Sequence, residues 1–139
     1  MATRTIAKDG AELSVEDNGR DGPALVFSPL LGWFSPHLDS RDPPTAGTDP
    51  HNPISQRGWG GSRAMDRRYD LDALANDVTT VAAALGIGRY VLVGHSISGK
   101  VAQLVAGQRL PGLTGLVLVA PAPPIPMQVP AEVRAAMLA

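Results

Sequence analysis

Ser96, between His95 and Ile97 in the run from Tyr90 to Lys100, is the residue of this chain best placed for covalent chemistry. The apolar run Tyr90 to Val93 leads into it, and small residues stand two positions before and two after it, Gly94 and Ser98. That pattern predicts a strand turning sharply into a helix, where small neighbours let the backbones pass and the hydroxyl is pushed out above the sheet. A serine hydroxyl is a weak nucleophile, so it needs a histidine base, a carboxylate to orient that base, and N–H donors for the oxyanion. The N–H of Ile97, at the start of the helix, is one such donor.

The same run admits a second chemistry. Gly94 and Gly99-Lys100 satisfy G-x-x-x-x-G-K between a strand and a helix, the spacing of a loop that cradles phosphates. Such a loop follows its lysine with Ser or Thr to hold magnesium, whereas Val101 follows here, and the next apolar strand, Leu116 to Ala120, ends without the Asp of a second metal anchor. A nucleotide-binding module is therefore the weaker alternative.

Other polar residues carry blander readings. His95 adjoins Ser96 in sequence and so points elsewhere on the turn; it is read as packing or lining the substrate pocket rather than serving as base. The remaining histidines, His37 and His51, lie in an irregular segment and lack metal-ligand spacing. With no cysteine, thiolate catalysis, disulfides and Cys-based zinc sites are excluded, and no metal is expected. Arg57, Arg63, Arg67 and Arg68 alternate with Asp66, Asp70 and Asp72, the composition of a solvated, mutually paired surface. Trp33 and Trp59 fit a pocket mouth or the core equally well.

The elements that must position Ser96 are legible on either side of it. Thr3 to Lys8 and Glu12 to Asp17 flank Asp9-Gly10, a hairpin turn pair, and predict two antiparallel strands; Ala24 to Phe27 reads as a third, buried strand. Leu71, Leu74, Val78, Val81 and Leu85 recur at helical spacing, with Asp70 as N-cap and Gly86 to end the helix. A strand over Tyr90 to Val93, a helix over Ile97 to Gln108 and a strand over Leu116 to Ala120 then predict a parallel sheet with Ser96 at its carboxyl edge, where open α/β sheets bind ligands. Five prolines lie between Pro121 and Pro130, before a helical start over Ala131 to Leu138.

From Ser28 to Pro53 neither periodicity survives, and six of the 13 prolines lie there. At 139 residues, 44% apolar and a net charge of -1, the chain is expected to be one soluble α/β unit, or a piece of one. Without a Lys/Arg block, an apolar secretory core in the first ten residues or an apolar run of about 18 residues, neither nucleic acid nor membrane is an expected partner, and a cytoplasmic location is. Oligomeric state is left open.

From Gln56 to Pro124 the sequence resembles the α/β-hydrolase family, in particular its haloperoxidase-like and esterase-like members. Arg57-Gly58-Trp59-Gly60-Gly61-Ser62 is similar to the family's loop after strand four, Leu71 to Leu85 to its second helix, and Gly94-His95-Ser96 to its nucleophile tripeptide. The resemblance implies a mostly parallel sheet begun by an antiparallel hairpin, and hydrolysis of an ester, lactone or similar small-molecule bond through an intermediate on Ser96, without metal or organic cofactor. It covers the N-terminal portion of such a fold, with residues 121–139 opening the cap region. The family's second small residue is Gly where this chain has Ser98, which should strain a crowded contact. Its oxyanion motif after strand three is replaced by Ser28-Pro29-Leu30-Leu31, where Pro29 has no N–H and Leu31 is the nearest match for the second donor. The family's acid and His would fall beyond Ala139, so this chain alone is expected to be inactive; the alternative is a non-catalytic remnant or interaction fragment. A sheet stopped after Leu116 to Ala120 would also expose an apolar edge.

The resemblance suggests a cause for the irregular stretch. Shifted by one nucleotide and within codon degeneracy, residues 29–33 can spell His-Tyr-Trp-Gly-Gly and residues 34–38 Ser-Ala-Arg-Thr-Trp, which resemble the family's oxyanion loop and first helix. Residues 28–53 are accordingly read either as a segment translated out of frame between compensating shifts or as a divergent proline-rich loop.

Overall fold

The structure, a computed structural model, describes residues 2–8, 10–17, 24–28, 51–58, 60–126 and 128–138. The hairpin forms as expected: β1 (Ala2–Lys8) and β2 (Ala11–Asp17) pair antiparallel in a register that sets Lys8 opposite Ala11. Gly10 turns the corner at φ +77, and a Cβ there would lie 2.8 Å from Asp66. Alternation along β2 buries Ala11, Leu13 and Val15 on one face, the signature of a strand with one side on the core.

A second sheet runs in the order β4-β3-β6-β7, parallel throughout, from β3 (Ala24–Ser28), β4 (His51–Pro53), β6 (Tyr90–His95) and β7 (Leu113–Val119). The short β5 (Arg63–Ala64) pairs with β2 in the first sheet, and an antiparallel bridge between Val15 and Ile54 ties the two sheets together. Two of these strands correct the sequence reading. The stretch from Ser28 to Pro53 is not without structure at its ends: Ser28 closes β3, and 51–53 form the fourth strand that periodicity does not reveal. A three-residue strand containing Pro53 is too short to show a period. Residues 29–50, with Leu31, Trp33 and His37, lie outside the described residues, as does Trp59. β7 begins at Leu113 and stops at Val119, earlier at both ends than Leu116 to Ala120, because its register follows β6 back to Tyr90.

α1 (Leu71–Ala84) packs on α2 (Ile97–Gly107) and the hairpin, and α2 packs on this sheet. α1 starts at Asp70, whose carboxylate accepts the N–H of Ala73 at 2.9 Å, and Gly86 follows its end at φ +67. Its inner face is lined by Ala73, Ala75, Val78, Val81 and Ala82, with Leu71, Leu74 and Leu85 at the margins of the core. Alanines let it approach α2, which buries Val101, Ala102 and Val105. These side chains meet Leu13, Val15, Ile54, Tyr90 and Leu92 in one core. α3 (Ala131–Leu138) forms where expected and is exposed from Ala131 to Ala136.

Candidate active site

Ser96 stands alone between the last residue of β6 and the first of α2, at φ 54 and ψ -119. A positive φ is costly for a residue with a Cβ and persists where surrounding structure over-determines it. Here the clamp is visible. The Ser96 N–H donates to the Val119 carbonyl at 3.0 Å, and the Ser96 carbonyl accepts from Gly99 at 3.0 Å and from Ala122 at 2.8 Å. The end of β7 and the residues after it therefore hold the turn from outside. A serine at a helix N-cap ordinarily accepts an N–H of the first turn in an extended backbone conformation. Ser96, twisted away from that conformation, makes no capping bond with its side chain, and the residue is partly exposed at the sheet's carboxyl edge. Ile97 opens α2, so its N–H belongs to the first turn, where amides have no acceptor within the helix.

Backbone crowding explains the glycines. A Cβ on Gly94 would lie 2.5 Å from the Ser98 carbonyl oxygen and 2.8 Å from the Gly99 Cα, and a Cβ on Gly99 would lie 2.7 Å from Pro121 Cβ. Gly99 is thus a second tight position, on the helix side of the turn. Ser98 is fully buried, and its hydroxyl accepts a 2.5 Å hydrogen bond from Gln56 Nε2. The Gly99-Lys100 pair already lies inside α2, and the Lys100 ammonium donates to the Ile125 carbonyl at 3.1 Å. Four residues of open loop, which a phosphate cradle needs between its glycines, do not exist here.

Behind the elbow, the loop from Ser55 to Ser62 is bound into the core. The Ser62 hydroxyl donates to the Ser55 carbonyl at 2.7 Å and accepts the Ser14 N–H at 2.8 Å. Arg57 overturns its reading as part of a solvated surface: its side chain is 2% exposed and grips Asp77, itself 5% exposed, through two parallel bonds of 2.8 and 2.7 Å. Its remaining nitrogen donates to Asp66 at 3.1 Å and to the Arg68 carbonyl at 2.9 Å. The hydrogen bond to Asp77 raises the Arg57 pKa further above its ordinary value, against the burial that lowers it. The Asp66 carboxyl is held below its ordinary value by the backbone N–H of Arg68 first, with the Arg57 charge adding to it. The sequence reading omitted Asp77, although the signal was present: it is a carboxylate on the inner stripe of α1, and a charge there requires a buried partner. Arg68 and Asp70, by contrast, pair on the surface as expected, at 60% and 47% exposure.

His95 ends β6, half-buried, beside Ser96 in the chain. Among the described residues no cluster of three or more His, Asp or Glu could hold a metal, and no helix is long and apolar enough to cross a membrane.

The sequence model of the alpha/beta hydrolase fold matches residues 54–138. N-formylmaleamate deformylase of Pseudomonas putida is 47% identical over 69 residues, 49% of this chain and 26% of that protein. A non-heme haloperoxidase of Rhodococcus erythropolis is 36% identical over 74 residues, 52% of this chain and 27% of that protein. The chain thus spans about a quarter of the length of these curated relatives. Among solved structures, a hydrolase from Pseudomonas aeruginosa PA01 superposes with a TM-score of 0.80 at 27% identity, covering 98% of this chain and 52% of the other. Est816, described as an N-acyl homoserine lactone degrading enzyme, gives 0.78 at 25% identity, covering 97% and 52%.

Proposed function

Because the chain belongs to the α/β-hydrolase-fold family, we propose that it is the nucleophile-bearing part of a hydrolase that cleaves an ester, lactone or similar acyl bond in a small molecule. The observation that carries this is the conformation of Ser96, φ 54 and ψ -119, with its side chain uncommitted to capping α2. In the proposed reaction Ser96 Oγ attacks the carbonyl carbon and gives its proton to a histidine base. The oxyanion takes the Ile97 N–H and, as a second donor, that of Leu31. Collapse expels the leaving group, which takes the proton back, and water then releases the acid from the acyl-serine. No metal or organic cofactor is required by this sequence of steps. His95 lines the pocket, and residues 121–139 open the cap above it. The names of two relatives support an acyl substrate: one is a deformylase and the other degrades N-acyl homoserine lactones.

The chain's histidines are His37, His51 and His95, none of them after the elbow, so the 139 residues alone are expected to turn over nothing. We assign the protein to the cytoplasm, and residues 28–53 to out-of-frame translation, which the gene sequence tests directly: the alternative frame must encode the oxyanion motif. The function is tested by transplanting residues 54–138 in place of the matching part of N-formylmaleamate deformylase. A folded chimera should hydrolyse p-nitrophenyl acetate, label with a fluorophosphonate, and lose both on Ser96→Ala. A folded chimera that does neither would identify a non-catalytic remnant instead.

A further inference from the structure

The first turn of α2 is held from two sides. Toward β7, the backbone of Ser96 bonds to Val119 and Ala122. Toward the core, the hold is a side-chain pair: Gln56, 8% exposed, donates from Nε2 to the hydroxyl of the fully buried Ser98. A buried amide and a buried hydroxyl each need partners, so the bond fixes how their two backbones stand relative to one another. Gln56 is an arm whose mount is pinned. Before it, Ile54 bridges to Val15 and the Ser55 N–H donates to the Ser14 carbonyl at 3.0 Å. After it, Arg57 grips Asp77 of α1. The neighbours of Gln56 are therefore tied to the hairpin and to α1, and its own side chain carries that fixed frame across to α2.

Ser98 follows Ile97 directly, and a Cβ on Gly94 would lie 2.5 Å from the Ser98 carbonyl oxygen, so the turn has little room to move toward β6. The helix also lacks the ordinary fixture at this end, since Ser96 makes no capping bond with its side chain. A glycine at position 98 would have no hydroxyl to accept the Gln56 bond, so the link belongs to this side chain and not to the backbone of the elbow. From this arrangement we propose that Gln56 is a positioning residue of the reaction: through Ser98 it sets the place of the first turn of α2 and so aims the Ile97 N–H at the oxyanion. That role rests on Ser96 being the nucleophile; the link between Gln56 and the first turn does not. An oxyanion donor acts on charge that develops in the transition state, so displacing it slows the chemical step and leaves substrate binding nearly unchanged.

Amide hydrogen exchange is measured on the 139-residue chain carrying Gln56→Leu, Ser98→Ala or both. Each single substitution removes the same bond, so the Gly99 amide, which donates to the Ser96 carbonyl, should exchange about tenfold faster in each and no faster still in the pair. The Leu92 amide in β6 should change by less than about threefold. In the chimera that carries residues 54–138, the same substitutions should lower kcat for p-nitrophenyl acetate about tenfold, with KM within about twofold and again no further loss in the pair. Effects that add, or Gly99 and Leu92 exchange that speed equally, would show that Gln56 only fills the core and overturn the link. Unchanged kcat in an active chimera would overturn the positioning role. A chimera inactive before any substitution would refute the nucleophile, and Gly99 exchange in the chain would then keep or refute the link by itself.

Discussion

β2 and β7 are strands of equal length, seven residues each, and they end up in opposite circumstances. β2 is paired on both sides, by β1 and β5, and its alternating side chains put Ala11, Leu13 and Val15 into the core while Glu12 and Ser14 face outward. β7 is paired on one side, is apolar from Leu116 to Val119, and hides neither face. The contrast separates a strand whose pattern its surroundings satisfy from one whose pattern they do not. Where pattern and surroundings agree, the strand already has all the partners its sequence calls for. Where they disagree, apolar side chains stay 36–47% exposed.

Substitutions can sharpen that contrast. The largest loss is expected at the buried ion pair. Asp77→Ala leaves the Arg57 guanidinium without its bidentate partner, and removing one member of such a pair costs about 3–5 kcal/mol; urea unfolding should register this. Leu13→Ala, at 1% exposure in β2, should cost about 2–5 kcal/mol by the same measurement. Gly94→Ala drives a Cβ against the Ser98 carbonyl, which is backbone and cannot swing away, and should cost about 1–3 kcal/mol. Because it displaces the elbow, in the chimera it should also depress fluorophosphonate labelling more than it depresses the unfolding midpoint.

Acidification supplies a smaller effect of known sign. Asp66 is held below its ordinary pKa by the Arg68 N–H and then by Arg57, and Asp70 by the Ala73 N–H and then by Arg68. Carboxylates whose folded-state pKa is depressed contribute stability that is complete above the unfolded pKa and is lost as pH falls through the folded one. The urea midpoint should therefore drop as pH is taken below about 4, and Asp66→Asn should flatten part of that drop. The smallest effect is expected at the exposed strand β7. Val117→Thr at 46% exposure should change the isolated chain's stability by no more than about 0.5 kcal/mol. A β7 substitution as costly as Leu13→Ala would mean that the edge is already covered.

Much of the site was legible because its signals are local. The elbow is spelled by Gly94 and Ser96 between an apolar run and a helical one, and Asp70 caps α1 from the position next to the first helical residue. What is not legible mostly involves partners distant in sequence. Arg57 was assigned to the surface because its neighbours in the chain are charged and polar, yet its partner is 20 residues away on the inner face of α1. The partner of Ser98, Gln56, lies 42 residues earlier, and the residue that crowds Gly99, Pro121, lies 22 residues later. β4 escaped notice because three residues cannot display a period.

Sequence alone determined which residue turns the corner, which stripes face inward and where the helices begin, since each follows from side-chain type and spacing over a few residues. Tertiary structure decided which charges are buried, which distant side chain Ser98 bonds to and which apolar strand stays exposed. Those outcomes depend on contacts that burial and close packing create between segments far apart in the chain, and no local pattern encodes them.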